Sequence, residues 1–85
     1  MWQVIYQPAA LKALRRMDAR TADRIMTKIS ALAVDPLAPN ANAKKLRGVD
    51  GYRLRVGDWR VIYALRHDVL TVAVVKIASR GSVYE

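Results

Sequence analysis

Between Tyr52 and Tyr63 the chain alternates apolar and polar side chains on either side of Gly57-Asp58, and this pattern constrains the fold more than any other stretch. A two-residue turn of this kind closes a tight hairpin. It sets Val56 opposite Trp59, Arg55 opposite Arg60, Leu54 opposite Val61, Arg53 opposite Ile62 and Tyr52 opposite Tyr63. Successive side chains point to opposite faces of a strand. One face is therefore apolar and aromatic (Tyr52, Leu54, Val56, Trp59, Val61, Tyr63), and the other gathers Arg53, Arg55 and Arg60. Like charges directly opposite each other weaken a ladder, so an arginine-lined face invites a partner that offsets the repulsion. A polyanion is the obvious candidate.

The flanking sequence supplies a cover for the apolar face. Met1 to Gln7 alternates as a strand, with Trp2, Val4 and Tyr6 on one side. Pro8 suits the first turn of a helix, where its missing N–H is not needed, which predicts a helix from Pro8 to about Met17. Leu11, Leu14 and Met17 are expected to face the core, and Lys12, Arg15 and Arg16 the solvent. Asp18 and Thr21 are candidate caps for a second helix, in which Ala22, Ile25, Ile29, Leu32 and Ala33 recur at helical spacing until Asp35-Pro36 ends it. Pro36 to Ala43, with two prolines and two asparagines, reads as a surface connection into the basic run Lys44-Lys45-Leu46-Arg47. After the hairpin, His67-Asp68 is a turn, and Val69 to Ala78 is an apolar run consistent with a central strand. The expected class is α+β: an N-terminal strand, an antiparallel helical hairpin, then a three-stranded antiparallel meander, with the helices on one face of a single sheet. Residues 1–85 are expected to form one domain.

Fifteen Lys and Arg against seven Asp and Glu give a formal charge of +8. Such a field draws RNA, DNA, anionic lipid or an acidic protein. The absence of cysteine rules out disulfide and thiolate chemistry, and one histidine, His67, cannot build a metal cluster, so neither metal nor cofactor is expected. Nothing resembles a signal peptide, and no apolar stretch approaches membrane-spanning length. The expectation is a soluble protein of the cytoplasm with no membrane partner.

Common hydrolytic constellations are missing: no His partners a Ser nucleophile, no Gly-rich phosphate loop precedes a helix, and no carboxylate pair falls on a predicted concave surface. Arginines, a few lysines and tyrosines remain, and these suit phosphate. Cleavage of RNA by its own 2′-hydroxyl needs in-line geometry, positive charge on the transition state and help with two protons. Arginine's planar fork meets the second need. Tyr84 or a lysine could assist proton transfer, and Arg80, four residues before Tyr84, is placed to depress the tyrosine's pKa if the tail curls back to the sheet. The residues by themselves leave two readings of Arg53, Arg55 and Arg60, a solvated sheet face or a phosphate site. Lys44, Lys45 and Arg47 read as a solvated loop that strengthens attraction for nucleic acid.

Taken together, the strand, the helical hairpin with its Asp-Pro stop, Lys45-Leu46-Arg47-Gly48, the Tyr52–Tyr63 block and Ser79-Arg80-Gly-Ser-Val-Tyr84 resemble the RelE/ParE superfamily of bacterial toxins from toxin–antitoxin pairs. The resemblance covers almost the whole chain and is nearer the RelE branch, whose members are mRNA interferases that cut messenger RNA in the ribosomal A site without a metal. It implies that Arg53 and Arg55 hold positions where some relatives carry charge-stabilising lysines. By the same likeness Arg60 orients the scissile phosphate, Arg80 stabilises the transition state or leaving group, and Tyr84 activates the 2′-hydroxyl or stacks on a base. Arginine holds its proton more tightly than lysine, which keeps the electrostatic role at 53 and 55 and weakens any role as general acid. A cognate antitoxin, mRNA and the ribosome are the implied partners. Two alternatives are a ParE-like toxin that poisons DNA gyrase and a non-catalytic basic module that only binds RNA or ribosome.

Overall fold

The computed structural model describes residues 1–79, which form β1 (Gln3–Tyr6), α1 (Pro8–Arg16), α2 (Ala19–Val34), β2 (Ala43–Lys45), β3 (Tyr52–Val56), β4 (Trp59–Arg66), a 3-10 turn (His67–Val69) and β5 (Thr71–Ser79). Pro8 occupies the first turn of α1, and Ala10 and Leu14, four residues apart, are its buried positions. Leu11, expected in the core, is 37% exposed. Leu14 is buried and Met17 packs against the core as expected, and Ala10, four residues before Leu14, takes the inward place expected for Leu11. Asp18 caps α2: its Oδ2 accepts from the Thr21 backbone N–H at 3.1 Å, and its Oδ1 accepts from the Thr21 hydroxyl at 2.7 Å. These bonds satisfy one of the orphan donors of the first turn and draw the carboxyl below its ordinary pKa. Ala22, Ile25, Ile29, Leu32 and Ala33 form the buried stripe, as their spacing predicts, and Asp35 with Pro36 closes the helix.

The five strands make one sheet in the order β1-β5-β4-β3-β2, antiparallel throughout except for the parallel β1–β5 pair. Both helices cover one face, where Leu54, Val56, Val61, Tyr63, Val72, Val74 and Ile77 meet Ala10, Leu14, Ile25, Ile29 and Leu32. The backbone N–H of Trp2 donates to the carbonyl of Ala33 at 2.8 Å, tying the start of β1 to the end of α2. Tyr52 and Tyr63 stack with ring centres 5.4 Å apart. The meander carries one strand more than expected, because the short β2 forms where the Pro36 to Ala43 connection meets the basic run read as a solvated loop. It pairs Ala43 with Leu54, Lys44 with Arg53 and Lys45 with Tyr52.

Candidate nucleic-acid interface

The hairpin register is the one the alternation predicts: Arg53 opposite Ile62, Arg55 opposite Arg60 and Val56 opposite Trp59. Gly57 takes φ +59, a conformation that L side chains rarely adopt, so glycine at the first turn position lets the two strands close on a two-residue loop. Because Leu54, Val56 and Val61 are buried under the helices, parity sends Arg53, Arg55 and Arg60 to the face opposite the helices. Arg55 is exposed, while Arg53 and Arg60 are half-buried. One nitrogen of the Arg60 guanidinium, Nη1, donates to the carbonyls of Gly57 at 3.1 Å and Trp59 at 3.0 Å. These bonds hold the fork over the turn and leave Nε and Nη2 for an anion.

Strand pairing extends the cationic face beyond the hairpin. Lys44 is opposite Arg53 on β2, and Lys76 is opposite Ile62 on β5, so a row Lys44, Arg53, Ile62, Lys76 crosses four strands. Arg55, Arg60 and Ala78 form the adjacent row. None of the strands, all within the described residues, contains Asp or Glu. Lys44 joins the arginines, but its neighbours in the basic run do not. Lys45 pairs with Tyr52 and shares the opposite face, and Arg47 stands exposed in the connection after β2. Arg80 and Tyr84 lie outside the described residues. Lys76 escaped the sequence reading because it sits in an otherwise apolar run, and a lysine within such a run was the one available signal.

The helix side offers a different surface. A groove of about 650 Å³ runs between α2, the 35–42 connection and β3, with Leu32, Leu54 and Val56 on its floor and Arg24, Lys28 and Arg55 among its lining cations. A smaller recess of about 190 Å³ under Pro36–Asn40 is lined in part by Tyr52 and Tyr63. The Tyr63 hydroxyl is buried with no hydrogen-bond partner, and desolvation, with a lesser contribution from Tyr52, pushes its pKa up to about 12. It stays neutral near pH 7. No helix among the described residues is long and apolar enough to cross a membrane, and no three His, Cys, Asp or Glu side chains there could hold a metal ion.

An antiparallel meander completed by a parallel N-terminal strand, with a helical hairpin on one face, is the architecture of RelE-like toxins. The archaeal RelE–RelB complex of Pyrococcus horikoshii contains a chain that superimposes with a TM-score of 0.80 at 27% identity, over 95% of this chain and 97% of that one. The isolated Escherichia coli RelE toxin gives 0.79 at 24% identity, over 99% and 92%. The YoeB/ParE toxin of Agrobacterium tumefaciens gives 0.76 at 17% identity, over 92% and 98%. Among curated proteins none matches the chain by sequence. Residues 4–84 match the family described as ParE toxin of type II toxin-antitoxin system, parDE, and the chain belongs to this RelE/ParE superfamily of toxins.

Proposed function

We propose that this toxin is an mRNA interferase, an endoribonuclease that promotes attack of a 2′-hydroxyl on the adjacent phosphate of mRNA in the ribosomal A site and so halts translation. The observation that carries the reading is the sheet face opposite the helices, to which the strand register assigns Arg53, Arg55 and Arg60 within strands that contain no carboxylate. Charge on the dianionic transition state exceeds that on the bound diester, so guanidinium groups fixed in advance lower the barrier selectively. Arg60, already bonded to two backbone carbonyls, presents a preset fork to the scissile phosphate, and Arg53 and Arg55 stabilise the developing charge. Arg80 and Tyr84 complete the site on the family likeness alone, Arg80 at the leaving group and Tyr84 at the 2′-hydroxyl. Lys44, Lys45 and Arg47 add attraction for RNA. The proton leaves the 2′-oxygen, its lone pair forms the new P–O bond, and the 5′-oxygen departs and is protonated. Products carry a 2′,3′-cyclic phosphate, or a 3′-phosphate once water adds to phosphorus and the 2′-oxygen leaves, and a 5′-hydroxyl, and the chemistry draws on no metal or cofactor.

The structural neighbours include RelE chains in complex with RelB antitoxins, which supports a cognate antitoxin as the partner that neutralises this chain. With a formal charge of +8 on the toxin, the wrapping segment is acidic. A second reading, inhibition of DNA gyrase, is favoured by the description of the matching family as ParE. One experiment separates the two: the chain is induced alone in cells, mRNA 5′ ends are mapped, and supercoiling by gyrase is assayed in parallel. Cuts in phase with codons and unaffected gyrase are expected. Intact mRNA with inhibited supercoiling would replace the nuclease by the gyrase reading.

A further inference from the structure

Simple alternation along β5 would put Lys76 in the core. Val72 and Val74 are both fully buried under the helices, and a third residue of that parity would follow them, where an unpaired ammonium is very costly. The strand avoids this with a bulge. Tyr63 pairs with Val74 and Ile62 with Lys76, leaving Val75 as the extra residue. Parity flips across it, Ile77 returns to the core at 4% exposure, and Lys76 emerges exposed on the arginine face. Bulges of this kind re-aim side chains and occur preferentially near functional sites.

Neighbouring strands lie about 4.8 Å apart, so the row from Lys44 to Lys76 spans three gaps, about 14 Å, whereas its two rows are only about 7 Å apart along the strands. The cationic array is therefore elongated across the sheet. A nucleic-acid strand laid on that long axis has room for more than one phosphate. With the scissile group among Arg53, Arg55 and Arg60, a neighbouring phosphate falls toward β5. A lysine suits that place, since a compact, mobile point charge holds a phosphate without demanding the fixed fork geometry of the reacting centre.

We propose that Lys76 is a phosphate-binding residue of this face, holding the phosphate beside the scissile one on a single-stranded RNA that crosses the sheet from β2 toward β5. The inference rests on the RNA reading given above and adds to it a residue and a direction. Affinity of the free chain for a fluorescent single-stranded RNA with uncleavable 2′-O-methyl riboses tests it, measured between about 50 and 200 mM salt. One lost contact lowers the slope of log K against log salt by about 0.7, which at 0.1 M is about a fivefold loss of affinity relative to 1 M. Lys76→Gln is expected to show both changes, Lys76→Arg to restore both, and Lys12→Gln at an exposed position of α1 to leave the slope unchanged, all with unaltered melting temperature. If Lys76→Gln retains wild-type affinity and slope while Arg60→Ala loses binding, Lys76 is not a phosphate ligand and the RNA reading stands. If the wild type shows no salt-dependent affinity for RNA, the RNA reading falls and this inference with it.

Discussion

Replacing Arg55 by threonine should make the protein more stable and less active. Arg55 and Arg60 are direct partners on the open face, and the Arg55 backbone N–H points away from β4 to the carbonyl of Asn42 at 2.8 Å. They are thus a non-hydrogen-bonded pair, the type whose side chains approach most closely, with Cβ atoms about 5 Å apart. Placing the two charges roughly 7 Å apart in water gives about 0.6 kcal/mol of repulsion, and screening at 0.1 M salt halves it to about 0.3 kcal/mol. The better strand propensity of threonine adds a few tenths, for a gain of about 0.5 kcal/mol and a rise in melting temperature of about 2–4 °C. Urea denaturation at low salt and at 1 M salt measures both parts, because the electrostatic part vanishes when the screening length drops to about 3 Å. RNA cleavage by the same variant should fall at least tenfold. A variant that is destabilised, or whose gain is identical at both salt concentrations, would refute the claim that this face trades stability for charge.

Three further outcomes follow from particular residues. Tyr63→Phe removes a buried hydroxyl that lacks a partner, so stability should rise by about 1 kcal/mol, read by calorimetry. The folded Tyr63 keeps its proton to about 12 while the unfolded side chain loses it near 10.0, so the wild type loses stability as pH rises through that window. The phenylalanine variant lacks that contribution, worth at most about 2–3 kcal/mol, and its denaturation midpoint should be flatter from pH 10 to 12. Leu70 sits at φ 44 and ψ 54, the left-handed region, with 54% of its surface exposed; Leu70→Gly should stabilise by about 0.5 kcal/mol and Leu70→Val destabilise by about 1 kcal/mol in urea titrations. Asp18→Ala removes both bonds that cap α2, so the helix end should exchange its amide protons faster. Since the folded Asp18 carboxyl has a lowered pKa, its contribution is present above the unfolded value and is lost as pH falls through the folded one, a dependence the alanine variant should lack.

The parts of the fold that were legible in the sequence are those where burial leaves one register available. In the hairpin a slip of one residue would put Leu54, Val61 and Tyr63 in water and three arginines in the core, so the alternation alone fixes every pair from Tyr52–Tyr63 to Val56–Trp59. The buried stripe of α2 was equally clear, since its apolar residues return at helical spacing over sixteen residues. β2 was not legible. Ala43, Lys44 and Lys45 carry no apolar alternation, and the strand exists because β3 offers an open edge for it to pair with. The side of Lys76 was hidden for a related reason: the bulge at Val75 reverses the parity of β5, and nothing in its valine-rich run marks where an extra residue enters. As a result the shared face of Arg53, Arg55 and Arg60 could be read from residues alone, while the placing of Lys44, named in the basic run, and of Lys76 on that face required the pairing of strands distant in sequence.

The most direct measurement is the rate at which the folded Arg60→Ala protein cuts mRNA on programmed ribosomes, compared with the wild type. Loss of a preset fork aimed at transition-state charge predicts a decrease of about 10²–10³ in rate with the fold and ribosome binding retained. Cleavage at the wild-type rate by a folded Arg60→Ala protein would contradict the account that the open arginine face does the chemistry.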